Sequence, residues 1–271
     1  MTLREHGWQL RGNAAELYER YLVPTVTLPW ARDLIERVGL RPGDRVLDVA
    51  CGTGVVGRLA ASAVGAGGSV AALDVNREML AVGRSLSPAE GARIEWHEAS
   101  ADALPFDEAE FAVVLCQLGL QFFPDRLGAL REMRRVLAAE GRLGVSVYAS
   151  TEENPAAEAL VDAVDKHFGD GAARAKRSEH SLADPEKLRD LFEVAGFEGV
   201  RIETVTKNVR FASIDDWVRI QFAATPLAAL VDREDPTRVD LVSADVSEAL
   251  TAFAHDGVFV FPQRVHVALR V

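Results

Sequence analysis

The chain is short of cysteine, of aromatic side chains, of long apolar runs and of positive charge. Only two of its 271 residues are cysteine, Cys51 and Cys116, and both lie in or beside apolar, strand-like segments. That excludes a disulfide-stapled scaffold and suits a reducing compartment. The opening stretch MTLREHGWQLRGNAAELYERY has no apolar core of the kind a signal peptide or membrane span needs, and the longest apolar stretches elsewhere are strand-sized. A cytoplasmic protein with no membrane partner is therefore expected. Lys and Arg number 30 against 41 Asp and Glu, a formal net charge of −11. An acidic surface repels phosphate backbones, so no nucleic-acid partner is expected. The one basic cluster, Arg126, Arg131, Arg134 and Arg135, has Glu132 among it on an expected helix, the pattern of a solvated face. None of the six histidines stands at a metal-ligand spacing from a cysteine or another histidine, so no metal is expected. Nothing in this composition bears on oligomeric state.

What is present is an ordinary globular composition, 48% hydrophobic and 26% charged, without internal repeats or low-complexity tracts. Two helices are expected first, over Ala14 to Leu22 and Trp30 to Val38, with Gly39 as a stop. The turn Arg41-Pro42-Gly43-Asp44 then releases the apolar run Arg45 to Ala50, too short for a helix. Strands and helices alternate from there. Strands are expected at Ser69 to Val75, Arg93 to His97, Phe111 to Gln117 and Arg142 to Tyr148. Helices are expected at Val55 to Val64, Asn76 to Ser85 and Asp125 to Leu137. Five such strands, mostly apolar on both faces, call for a doubly wound α/β fold with a parallel sheet covered on both sides. After Tyr148 the pattern loosens. Helices are expected at Pro155 to Phe168, Asp184 to Ala195, Ile214 to Leu230 and Arg238 to His255, and strands at Val200 to Phe211 and Arg264 to Val271.

The informative segment is DVACGTGVVG, residues 48–57. Gly52-Thr53-Gly54-Val55-Val56-Gly57 satisfies G-x-G-x-x-G between a strand and a helix, with Asp74 at the end of the next strand. A dinucleotide site has the same layout, so the glycines alone do not decide. Asp48 does. A carboxylate inside the strand would repel a pyrophosphate but suits a ligand that brings a cationic amine and a sulfonium near the loop. A nicotinamide-dependent oxidoreductase is accordingly the weaker reading.

Around this loop, residues 45–148 resemble the core of class I S-adenosylmethionine-dependent methyltransferases, in particular the small-molecule group that includes the ubiquinone and menaquinone biosynthesis enzymes. RVLDVACGTG is similar to that group's first motif, Leu104-Pro105-Phe106 and Phe123-Pro124-Asp125 to two later ones, and YERYLVP (18–24) to the helix placed over the cofactor. The resemblance implies a Rossmann-like sheet of seven strands, the last antiparallel, and methyl transfer from S-adenosyl-L-methionine to a small molecule. It implies N-terminal helices over the cofactor (1–43), a cofactor-binding core (44–150), a lid insertion (151–181), a core helix and strand (182–211), a second lid insertion (212–261) and a last core strand (262–271).

Residue roles follow from the same resemblance. Asp48 would orient the loop and the methionyl amino group, while Gly52 and Gly54 let backbone approach the ligand. Asp74 would accept from the ribose hydroxyls, Met79 would pack on adenine, and Tyr18 would lie near the methionyl carboxylate. Ala50, Val75, Ala101, Cys116 and Gln117 complete the expected cofactor set. Two positions depart from the family: Ser100 stands where an Asp commonly meets the adenine amine, and Gln121 where many relatives have His. Gly54→Val is then expected to abolish binding while the fold survives.

Each candidate also has a structural reading. Asp48 suits a buried acid satisfied by amides, Asp74 a helix cap, and the two cysteines small packing residues. Tyr18 suits an amphipathic helix, and His97 a structural strand end. In the insertions, His167, His180, Phe168, Trp217 and Phe222 are pocket candidates, with His180 and Gln121 as candidate catalytic groups, although the aromatics suit a core equally. A protein of this fold that keeps the cofactor only for structure, such as a cyclase, is the alternative from another class.

Overall fold

The computed structural model describes residues 13–86, 90–231 and 237–271. The first twelve residues, much of the stretch read for a signal peptide, lie outside the described residues, as do five residues within the 212–261 insertion.

Along strand β1 (Arg45–Val49), Val46 and Leu47 are both fully buried but belong to different apolar layers. Alternate side chains of a strand face opposite ways, so a strand buried on both sides needs a helical layer on each. The layers are α2 (Leu28–Val38) and α3 (Val55–Val64) on one face, and α5 (Arg126–Val136) and α8 (Pro185–Val194) on the other. β1 pairs in parallel with β2 (Ser69–Asp74) and β4 (Phe111–Gln117). Next to β2, beyond α4 (Arg77–Ser85), comes β3 (Ile94–Glu98). Next to β4 comes β5 (Leu137–Tyr148). The sheet closes with β6 (Arg201–Phe211) and β8 (Val258–Arg270), in the order β3-β2-β1-β4-β5-β8-β6, and β8 is antiparallel to both neighbours. This is the expected seven-stranded doubly wound sheet, with a two-residue β7 (Ala254–His255) added against β8.

The elements differ from expectation at their ends. The two N-terminal helices form one helical run: α1 (Ala14–Leu17), a π-helical stretch Tyr18–Thr27, then α2. Pro24 would break an ordinary helix, because its ring meets the carbonyl one turn back; the wider π turn accommodates it. β5 begins at Leu137, five residues early, where it pairs with Phe111 before an irregularity restores register at Val113↔Arg142. The helix expected over Ile214 to Leu230 divides into α9 (Ile214–Ala224) and α10 (Ala228–Val231) around Thr225-Pro226. The helix expected to reach His255 stops at Ala249 as α11 (Thr237–Ala249); Thr251–Phe253 make a tighter 3-10 turn, and Ala254 and His255 pair with β8 instead. Past Tyr148, α6 (Pro155–Phe168) ends at Gly169 and α7 (Asp170–Arg177) follows directly. No helix among the described residues is long and apolar enough to cross a membrane.

Candidate active site

The site forms at the carboxyl ends of the parallel strands, where a doubly wound sheet leaves a crevice. In the loop after β1, Ala50, Gly52 and Gly54 take positive φ (56°, 56° and 80°). The Cys51 amide bonds the Leu73 carbonyl at 2.9 Å, tying this loop to the end of β2. There the Asp74 carboxylate accepts from the Gly52 N–H and the Asn76 N–H, each at 2.8 Å. Burial pushes its pKa up against the pull of those amides. Asn76, not Asp74, caps α4, its Oδ1 accepting from Glu78 and Met79 at 3.0 and 3.1 Å.

A cavity of about 530 Å³ opens over this loop. It brings together eleven of the residues singled out from sequence: Tyr18, Ala50, Gly52, Asp74, Val75, Met79, Ser100, Ala101, Gln117, His180 and Trp217. Among these, Gly52 is the cradle. A Cβ there meets no atom within 4 Å, so backbone alone borders the space. The Gln117 side chain donates to the Thr27 carbonyl at 3.0 Å and leaves its own buried Oε1 without a partner. A carboxylate ringed by amides, an open glycine, an apolar floor at Met79 and an unspent acceptor fit the ribose, methionyl and adenine parts of S-adenosylmethionine.

Several expectations need correction. Gly54 does not border the cavity; a Cβ there would lie 2.3 Å from the Trp96 ring, so this glycine makes room for a neighbouring side chain. Gln121 is buried with its amide on the Leu118 carbonyl, outside the cavity wall. Phe168 and Phe222 pack on each other in a tilted pair with ring centroids 5.5 Å apart, and His167 pairs with Asp245 at 2.7 Å; none of the three lines the cavity. Cys116 is fully buried behind the wall, and burial raises its thiol pKa to about 12. Asp48 also stands behind the wall, its Oδ2 accepting from the Gly57 N–H at 2.8 Å. It orients the first turn of α3.

Burial, helped by the nearby Asp74, raises the Asp48 pKa to about 8 from an ordinary 3.8. Between those values the folded chain holds a proton that the unfolded chain releases, so stability contributed here declines as pH rises. Asp48→Asn removes that dependence. Its urea midpoint should rise relative to the parent's between pH 5 and pH 8; parallel profiles would show that the buried acid does not titrate this way.

Sequence reasoning missed the far end of the cavity. Lys176 and Glu179, from α7 and the turn after it, face Gln221 of α9, with Tyr148, Asn154 and Phe261 nearby. Their only signal was a Lys-x-x-Glu spacing in an otherwise charged stretch, which a solvated face shows equally well.

A doubly wound sheet with this glycine loop and a buried carboxylate ending β2 is the architecture of a class I methyltransferase, and its sequence relatives make it one that uses S-adenosyl-L-methionine on a small molecule. Residues 26–214 match the model of the ubiE/COQ5 methyltransferase family, and the chain belongs to that family. It is 35% identical over 193 residues to the ubiquinone/menaquinone biosynthesis C-methyltransferase UbiE of Ectopseudomonas mendocina (strain ymp), covering 66% of this chain and 75% of that one. It is 34% identical over 192 residues to the demethylmenaquinone methyltransferase of Shouchella clausii (strain KSM-K16), covering 66% and 81%. Solved structures share the fold. Phosphoethanolamine N-methyltransferase 2 of Haemonchus contortus, solved with S-adenosylhomocysteine, superposes with TM-score 0.59 at 16% identity, over 94% of this chain and 57% of that one. The [4+2]-cyclase SpnF superposes with TM-score 0.52 at 22% identity, over 90% and 80%, a likeness of fold alone.

Proposed function

We propose that the acceptor is a quinol-type ring methylated on carbon. The observation that carries this is the continuity of the cavity over the loop. The cavity runs from the glycine loop to a chamber bordered by Trp217, Phe261, Leu22 and Val26, apolar and aromatic surface suited to a flat ring. The names of the relatives support the same class. Bound S-adenosylmethionine would supply an activated methyl group on cationic sulfur, for in-line transfer to an electron-rich carbon with the S–C electron pair returning to sulfur.

The chain's own residues bind, orient and take the proton. Asp74 would accept from the ribose hydroxyls, Met79, Val75, Ser100 and Ala101 would hold adenine, and the Ala50–Gly52 backbone, Tyr18 and Gln117 would hold the methionyl end. Burial raises the Tyr18 pKa well above the usual phenol value, so it acts as a neutral hydrogen-bonding group. The described parts of segments 151–181 and 212–261 that line the cavity would cover the acceptor and keep water from the sulfonium. His180 takes the proton that leaves the ring. Its Nδ1 lies 2.6 Å from the Ala149 carbonyl, which can only accept, so Nδ1 carries the hydrogen and Nε2 keeps its lone pair. Burial lowers its pKa below the ordinary 6.5, keeping the ring neutral at neutral pH. The acidic net charge supports a small-molecule rather than nucleic-acid partner, and the two buried free thiols support a cytoplasmic setting.

Labelled S-adenosylmethionine with 1,4-naphthalenediol under anaerobic conditions tests the acceptor class: label should enter the ring as a C–CH3 group, and absence of transfer to any quinol would overturn it. In the same assay the acid limb of turnover should fall below pH 6.5. His180→Ala should lower turnover while affinity for S-adenosylhomocysteine stays within about threefold of the parent's, under ~0.7 kcal/mol. Cofactor affinity lost to the same extent as turnover would remove the proton-transfer role.

A further inference from the structure

We propose that Lys176 and Glu179 together bind a hydroxyl of the acceptor, so that the cavity selects a ring in its reduced, hydroxyl-bearing form over the corresponding carbonyl or ether. This deepens the quinol reading above and rests on it.

Among the described residues that line the cavity, Lys176 is the only Lys or Arg. Its side chain is 7% exposed and that of Glu179 10%, a charged pair set into a largely apolar wall. The ammonium donates to Glu179 Oε2 at 2.7 Å and to Gln221 Oε1 at 3.2 Å. An ammonium carries three N–H donors, so one remains. Glu179 Oε1 has no hydrogen-bond partner among the described residues. One donor and one acceptor therefore stand side by side at the cavity wall, complementary to a group that both accepts and donates. A hydroxyl does both. A quinone carbonyl or an aryl ether only accepts and would leave the carboxylate oxygen unanswered.

Stability gives no reason for the pair. Removing two charges from water costs more than their mutual attraction commonly returns, and apolar replacements of similar volume are often as stable or more so. The neighbours complete the arrangement. Tyr148 packs against His180 in a tilted pair with ring centroids 5.3 Å apart, and the nearby Glu179 carboxylate adds to burial in raising the Tyr148 pKa. Asn154, by contrast, spends its amide on the Ala149, Ser150 and Arg264 carbonyls. It has no N–H left to donate to a ligand, and its Oδ1 already accepts from the Arg264 N–H at 2.7 Å.

The test compares 1-naphthol with 1-methoxynaphthalene by calorimetric titration of the protein saturated with S-adenosylhomocysteine. The parent should bind the naphthol at least about tenfold more tightly, because the ether strands a buried acceptor. Lys176→Met with Glu179→Leu, replacing the pair together, should erase that preference and melt no lower than the parent. A parent that does not discriminate, or a double variant that folds and still does, would overturn the proposal. A double variant that melts well below the parent would overturn it too, since the pair would then be structural. The outcome separates from that of the acceptor reading. Discrimination lost in the variant, with no quinol methylated, leaves a different hydroxyl-bearing ring as acceptor; quinol turnover without discrimination removes the role of the pair alone.

Discussion

Gly54→Val should cost the fold about 3 kcal/mol or more, a large share of a typical domain's stability. Two effects add. The backbone at Gly54 has φ of 80°, where a β-branched residue is strongly disfavoured, at roughly 1–2 kcal/mol. The new side chain would also begin 2.3 Å from the Trp96 ring, which Gly83 flanks as well, with a Cβ there meeting that ring at 2.6 Å. Overpacking of that kind typically costs ~1–3 kcal/mol. Trp96 is thus a peg between the loop and α4, and the two glycines are its socket. Urea denaturation should show a clearly lowered midpoint, and Trp96→Ala in the same chain should recover part of the loss. A variant as stable as the parent would refute this account and return Gly54 to the ligand.

Asp74→Ala should weaken S-adenosylhomocysteine binding about a hundredfold, ~2.7 kcal/mol. Charge-assisted hydrogen bonds contribute roughly 1.5–3 kcal/mol each when intact, and water replaces part of that. The substitution also frees the Gly52 N–H from its 2.8 Å anchor, so the glycine that borders the cavity loses its position at the same time. Both losses fall on the cofactor. Calorimetric titration reads them directly, and unchanged affinity would sink the ribose assignment.

The parallel half of the sheet was legible because its strands are apolar on both faces and its turns are marked by glycine and proline. Phe111 to Gln117 could be read directly, since its side chains are buried from either direction. The antiparallel end was less legible. β6 alternates exposed and partly buried residues, and β8 starts six residues before the expected Arg264 because its pairing with β6 extends to Phe211↔Phe259. A pairing between residues 48 positions apart leaves no local trace. The π-helical stretch is similar: Pro24 signals a break, and only packing over the cavity keeps the helix continuous through it.

Within the site, Asp48, Gly52 and Asp74 were visible because they lie on one strand–loop–helix–strand unit. That spacing could single out the residues, but not say which of them border the cavity. Gly52 and Gly54 are indistinguishable in sequence, and Trp96, from β3, decides that one faces open space and the other a ring. The same holds for the aromatics of the insertions. Trp217 reaches the cavity, whereas Phe168 and Phe222 turn to each other, a choice made by how α6 and α9 pack. The sequence by itself determined the parallel strands and the loop, because short-range patterning and strand-end chemistry specify them, and its resemblance to a known family carried the cofactor class. The tertiary structure alone decided the acceptor end, where Lys176, Glu179 and Gln221 meet from separate segments. A buried ion pair there and a solvated charge run look the same along the chain, and only long-range packing removes the water that tells them apart.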